Sequence, residues 1–385
     1  MKPLQFWAII NDQISGTKSI EHEIKLFEKE TNIKVELKEF PWGKIWDYLI
    51  NSIKEDNKPD VVQVGSSWIS ILSQIGFLDD ITDLVDKELD NLYNISPKIG
   101  NKYYALPWIL DLNLLFVRKK DFDNGFAPET IDDLLLLCKK SKKNDLFAIG
   151  GIEENILIQY ISSFLWAYNG DYVINDSFDL LDKKNFKGIK VFFDLIKKYG
   201  VKKSLLNIYG DVMWDFFLKG KGVFTFTNAW VINAFIKPYK KKDDFSVQVV
   251  PGNEKTRYPF MGGACLGIVK GTEMVKESRR FLRFLTEYSS EKRYLSKIGL
   301  LPARKDVMND RINYFLYKDA ILKSLEVGRI YPPVPYWGSF EKIFVGFIHK
   351  MFAYILEGIY SDKVLEDELK IVNAKVHSVI SLWER

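Results

Sequence analysis

Leu4 to Ile10 is apolar except for Gln5 and is bounded by polar residues, which predicts a short buried strand. The polar stretch Asn11–Gly16 follows. From Lys18 to Thr31, Ile20, Ile24 and Phe27 recur at helical spacing with Glu and Lys between them, predicting an amphipathic helix. Ile33–Phe40 alternates as a second strand, and Trp46, Leu49, Ile50 and Ile53 mark a second helix. Lys58-Pro59-Asp60 stops that helix, and Val61-Val62-Gln63-Val64 starts a third strand. Strand–helix–strand–helix–strand order predicts an α/β fold with a covered, largely parallel sheet. Ligands in open α/β sheets bind at the loops after strand ends. Here the loop after the third strand reads Gly65-Ser66-Ser67-Trp68.

Further along, Ile69–Ile75 predicts a short helix ended near Gly76, and Asp79–Tyr93 an acidic amphipathic stretch. Lys102–Trp108 reads as a short strand meeting a turn, with a separate strand at Leu112–Val117 leading away. Helices are expected at Thr130–Lys140, Leu157–Trp166, Gly188–Tyr199, Val212–Leu218 and Ser278–Ser289. Strands are expected at Val223–Phe226, Phe245–Val250 and Gly267–Val269, the last preceded by Met261-Gly262-Gly263. Gly299–Arg304 forms a rigid turn. The rest is helical except for Tyr331–Gly338, which is too apolar for an ordinary solvated loop.

At 385 residues and 47% hydrophobic, the chain buries a large core in two or three structural units. The formal charge is only +4, and its lysines are interleaved with acids, so no basic face for nucleic acid is expected. No signal peptide is read after Met1-Lys2-Pro3, and no apolar run reaches membrane-spanning length. Cys138 and Cys265 read as small core residues, with a disulfide between them left open.

Catalytic chemistry finds little support. The three histidines, His22, His349 and His377, are isolated from one another and from the cysteines, and no calcium loop is present. Gly65-Ser66-Ser67 lacks the nucleophile elbow, and neither Gly262-Gly263 nor Gly220-Lys221-Gly222 is a phosphate loop. Asp111 could be one glycosidase carboxylate, but no second acid stands out. No catalytic residue, metal or cofactor is expected.

Binding residues are more readily argued. Aromatic rings at loops and element ends can cover the flat face of a sugar ring, while hydroxyls, amides and carboxylates satisfy its polar edge. Trp42 follows Pro41, Trp68 follows Gly-Ser-Ser, Trp108 follows Pro107, and Trp230 ends the Phe-Thr-Phe-Thr-Asn-Ala segment. Each could instead lock a loop onto the core. Asp111 could bind ligand hydroxyls or pair with Arg118, and Trp214 fits a helix core at least as well. Tyr336 and Trp337 could reach a cleft or brace the proline-rich loop, and Arg304 could bind ligand or join an ion pair. The candidate ligand contacts are Trp7, Asn11, Trp42, Gln63, Ser66, Ser67, Trp68, Trp108, Asp111, Trp214, Asn228, Trp230, Gly262, Gly263, Arg304, Tyr336 and Trp337.

Four ordered segments carry a family resemblance. They are Phe6-Trp7 through Val35, Pro59–Asp80, Phe217–Trp230, and Gly262-Gly263 through Arg304. Together they resemble the sugar-binding proteins of bacterial ABC importers, in the group of the maltose- and oligosaccharide-binding proteins. The resemblance implies a type II periplasmic-binding-protein-like fold with two lobes, a ligand cleft and crossing hinge segments. It implies a first lobe of 1–110 and 261–310, and a second, more helical lobe of 111–260 and 311–385. It further implies a monomer that captures a mono- or oligosaccharide and delivers it to an ABC importer permease. The site of action would be the periplasm or the outer face of the cytoplasmic membrane, with leader and lipid anchor absent from this sequence. A glycoside-active enzyme and a binder of a non-sugar solute are the alternatives.

Overall fold

The computed structural model describes residues 2–383 apart from 10–15, 56, 122–127, 142, 150–153, 176, 203–204, 206–213, 215–216, 239, 241 and 254–255. The expected helix Val212–Leu218 therefore lies largely outside the described residues, as does Asn11.

The amino-terminal reading meets the structure closely: β1 (Leu4–Ile9), α1 (Gly16–Thr31), β2 (Val35–Phe40), α2 (Trp42–Glu55) and β3 (Val61–Gly65). β1 lies parallel to both β2 and β3. A 3-10 turn, Ser66–Trp68, leads from β3 into α3 (Ile69–Gln74), and α4 (Thr82–Glu88) follows.

The strand expected to break at Pro107-Trp108 does not break. β4 runs without interruption from Leu106 to Arg118. Proline lacks an amide N–H and is tolerated at a bulge, and the pairing register slips between Pro107 and Ile109. Up to Leu112, β4 pairs antiparallel with β7 (Met261–Ile268) and β8 (Leu301–Pro302). Beyond it, β4 pairs with β5 (Phe224–Asn228) and β6 (Phe245–Val249). One strand thus changes partners halfway and crosses between two halves of the molecule. The sheet order is β2-β1-β3-β7-β4-β5, with β6 and β8 also on β4.

Helices α5 (Ile131–Lys140), α6 (Glu154–Ala167) and α7 (Lys183–Tyr199) cover the second half. Thr130 and Asp133 form a reciprocal capping box that fixes the start of α5. The single helix expected at Ser278–Ser289 is two, α8 (Val275–Thr286) and α9 (Tyr288–Ile298), because Glu287 is extended. Then come α10 (Lys305–Arg311), α11 (Lys318–Val327), α12 (Trp337–Leu356) and α13 (Asp362–Trp383).

Two apolar cores result. One gathers Phe6, Phe27, Val62, Leu72, Trp108, Leu266 and Phe281. The other gathers Phe147, Phe164, Phe192, Phe226, Trp337, Phe344 and Leu369. Along β4, Leu112 and Leu114 belong to the first and Leu115 and Val117 to the second. The Ala229–Ile236 segment and α11 also contribute to the first core. The second crossing is Phe260–Met261, and the third is the chain around Arg329. Arg329 N–H donates to the Pro259 carbonyl at 2.9 Å, and Met261 N–H donates to the Arg329 carbonyl at 2.8 Å. Cys138 and Cys265 are free and buried in different cores, which settles the open disulfide question.

Candidate functional site

The registers place several candidates in one row. Gly65, the last residue of β3, pairs with Ala264 of β7. Two residues earlier on β7, Gly262 pairs with Asp111 of β4. Past Leu112, Asn113 pairs with Asn228, the last residue of β5, and Trp230 follows two residues on. The ends of three strands thus converge where β4 changes partners.

The glycines of this row are required by close packing. A Cβ on Gly262 would collide with the Phe260 ring and stand about 3.0 Å from the Ser66 hydroxyl. Gly263 adopts φ +139°, and a Cβ there would collide with the Ile109 carbonyl. β7 runs as strand through both glycines, whereas the sequence reading began the strand at Gly267.

On one side of the row stands an aromatic cluster. Trp42, the first residue of α2, is 40% exposed. Its ring centroid is 5.4 Å from that of Trp68, and the Trp46 centroid is 5.5 Å from Trp68. Trp68 itself is 6% exposed, so it supports the cluster while Trp42 presents a face. Sequence reasoning placed Trp46 in the helix but missed its role. Its four-residue spacing from Trp42 puts both on one helix face.

Asp111 marks the middle. Its Oδ1 accepts the Leu112 amide N–H at 3.0 Å. Burial pushes its carboxyl up to about 7, against the opposing pull of the Leu112 amide, the Asn228 side chain and the Trp230 and Ala229 amides. On the far side, Trp230 is half-buried and meets Phe235 edge-on at 5.7 Å. It lines a narrow apolar crevice with Leu110, Leu300, Leu301, Phe315 and Ile321. Ser66 and Ser67 line a second narrow crevice facing Ile330–Pro333.

The other candidates are held elsewhere. Trp108 is fully buried and stacked on Tyr294 at 5.0 Å and 7°. Trp214 is packed between Phe116, Phe217 and Phe235. Trp337 is 1% exposed, stacks on Tyr331 at 4.4 Å and donates its Nε1–H to Glu341 at 2.8 Å. Tyr336 is buried against Phe178. Trp7 is 5% exposed, tilted on Phe40 at 5.0 Å with the Lys38 ammonium 4.9 Å from its ring. Gln63 is buried, and its Oε1 accepts the Ile9 N–H at 2.9 Å, extending the β1–β3 pairing by a side chain. Arg304 pairs with Asp306 at 2.7 Å and Glu88 at 3.0 Å. In this structure each of these seven has its apolar face or its hydrogen-bonding capacity engaged inside the fold. Asn11 lies outside the described residues.

The chain matches the family described as bacterial extracellular solute-binding protein over residues 24–314. It is similar to the diacetylchitobiose-binding protein of Streptomyces coelicolor, 24% identical over 341 residues, covering 82% of this chain and 77% of that protein. Among solved structures, the ABC transporter solute-binding protein of Thermotoga lettingae bound with α-D-tagatose superposes with a TM-score of 0.84 at 19% identity, covering 98% of this chain and 100% of that one. Maltose-bound MalE3 of T. maritima superposes with a TM-score of 0.81 at 20% identity, again over 98% and 100% of the two chains. These likenesses extend over nearly the whole chain and show the two-lobed periplasmic-binding-protein-like fold with crossing segments.

Proposed function

The chain belongs to the bacterial extracellular solute-binding proteins, a family that binds rather than transforms its solutes, and from that premise we propose that it captures a sugar, most favourably an oligosaccharide, for an ABC importer. The observation that carries the reading is the row Trp42–Gly262–Asp111–Trp230, which offers aromatic faces on either side of a carboxylate at the strand crossing. A sugar ring needs such a combination: C–H faces for the rings and a strong acceptor for adjacent hydroxyls. Opposite Asp111, Gly262 carries no side chain, which lets the Phe260 ring and the Ser66 hydroxyl approach the strand there. Ser66, Ser67 and Asn228 supply further polar contacts. Names of relatives support carbohydrate, since they include binding proteins for diacetylchitobiose, multiple sugars and galactooligosaccharides.

The units that close on the ligand are, in this reading, 1–110 with 261–310 and 111–260 with 311–385. The change of β4 partners at Leu112–Asn113 supports that division. Ligand contact with both lobes stabilises the closed state, which docks as a monomer on a membrane permease. In this reading the protein acts in the periplasm or on a lipid anchor at the outer face of the cytoplasmic membrane.

Calorimetric titration against mono- and oligosaccharides, with chromatography of the recovered ligand, tests this. Saturable binding of at least one sugar, recovered unchanged, is expected. Trp42→Ala is expected to weaken it about tenfold, because an exposed ring buries its face only on the ligand. Absence of binding to every sugar would sink the carbohydrate assignment and turn the search to other solutes.

A further inference from the structure

Two strands from opposite halves of the molecule meet end to end along one edge of β4. The carbonyls of Trp108 and Leu112 leave that edge. The first accepts the Ala303 N–H at 3.3 Å and the second the Ala229 N–H at 2.9 Å. Asn228, the last residue of β5, pairs with Asn113, and Leu301, the first residue of β8, pairs with Leu110. Both strands run antiparallel to β4, so the chain leaving β5 faces the chain entering β8. Bending of β4 where it changes partners alters the gap between them.

One side chain crosses that gap. Asn233 is the lone polar residue of Ala229–Ile236. Its Nδ2 donates to the carbonyl of Gly299, the residue that ends α9. Carbonyls at a helix C-terminus need a donor from outside the helix. Gly299 has φ +72°, and a Cβ there would stand 2.6 Å from Cγ of Asn233. The helix itself ends without Asn233, because the Gly299 N–H already donates to the Leu295 carbonyl at 2.7 Å. Asn233 is also tied to Trp230, whose carbonyl accepts the Asn233 N–H at 3.2 Å. The π-helical turn Ile232–Ile236 holds this geometry, and such turns are frequent at functional sites. Trp230, Asn233 and Gly299 line the same crevice. We infer that Asn233 is a positioning residue that straps the Trp230 segment to the first lobe and biases the ligand-free protein toward its closed state. This deepens the proposed function and rests on its two-lobe division and on Trp230 as a ligand contact. Since Trp230 is the ring offered to the ligand, the strap stands on the ligand side of β4, and cutting it lets the lobes part.

The test is pulsed electron paramagnetic resonance on the ligand-free full chain, with spin labels at Lys54→Cys and Lys221→Cys. Both positions are exposed, one in each lobe, and the native Cys138 and Cys265 are buried. Loss of one hydrogen bond between the lobes is expected to lower the closed-to-open ratio about 2- to 10-fold. Asn233→Ala should therefore move the distance distribution toward longer values. Asn233→Asp sets a carboxylate against the Gly299 carbonyl; it should move the distribution at least as far, and it serves if the alanine variant fails to fold. Asn233→Gln, which keeps the amide donor, should return part of the shift. An asparagine that only caps α9 would lower the unfolding midpoint and leave the distances in place. Coincident distributions for wild type and both variants would overturn the proposal, as would a shift to shorter distances. No sugar enters this measurement, so its failure is separable from failure of the carbohydrate reading, which the calorimetric panel decides.

Discussion

Replacing Trp108 by alanine is expected to destabilise the protein by about 3–5 kcal/mol, as for other fully buried aromatic truncations, and to leave sugar affinity of the folded fraction essentially unchanged. The ring projects from the bulged start of β4, stacks parallel on Tyr294 and has no exposed surface. Its removal opens a cavity among the first-core residues, and a rigid strand interior collapses only partly around such a void. Trp108→Phe makes the comparison sharper. It keeps an aromatic face for Tyr294 and removes an indole N–H that has no partner in the structure. Its expected cost is under about 2 kcal/mol, because the lost contacts are offset by loss of an unsatisfied donor. Urea unfolding followed by circular dichroism gives the stabilities, and calorimetry below the transition gives the affinities. Unchanged stability with a large loss of affinity in Trp108→Ala would restore the ring to the ligand site.

The same residue shows where sequence reading reached and where it stopped. The amino-terminal β–α–β–α–β unit was legible because each segment has one clear period and a break after it. Ile20, Ile24 and Phe27 recur on one helix face, and Pro59-Asp60 ends the next helix before β3. Pro107 misled because it looks like a break when taken alone, and the strand read at Gly267–Val269 stopped short of the Gly262-Gly263 pair. In the structure, a bulge in β4 accommodates the proline. The glycines are strand residues whose neighbours leave no room for a side chain. That requirement comes from Phe260, Ser66 and Ile109, and only one of the three is a chain neighbour of the glycines.

The tryptophans divide for a similar reason. A ring beside Gly or Pro marks an element end, but which way it turns depends on partners distant in sequence. Trp42 turns outward onto Trp68, whereas Trp337 turns inward onto Tyr331 and the second core. The unusually apolar stretch Tyr331–Gly338 carried that second signal, since Tyr331, Tyr336 and Trp337 are all buried.

Asp111→Asn is expected to make stability less dependent on pH between about 4 and 7, and to weaken sugar binding most at pH 7 and above. The folded-state carboxyl titrates near 7, well above its ordinary value of 3.8, because burial disfavours its charge. Between those two values the native state holds a proton that the unfolded chain has released. Its stabilising contribution is therefore complete below the unfolded value and is lost as pH rises through the folded one. Each pH unit in that window corresponds to at most about 1.4 kcal/mol. Asp111 is only partly buried, so a total near 2 kcal/mol is the expected loss. Asparagine cannot titrate, and the variant should gain on wild type by that amount between pH 4 and pH 8. Binding runs the other way. An ionised carboxylate is the stronger acceptor for sugar hydroxyls, so wild-type affinity should rise with pH and level off above about 7. In Asp111→Asn the affinity should be flat and about tenfold lower at pH 8, the difference between a charge-assisted and a neutral hydrogen bond. Thermal unfolding and calorimetry at matched pH values measure both. If wild type and variant show the same slopes, the carboxyl ionises as an ordinary surface acid and the site loses its central acceptor.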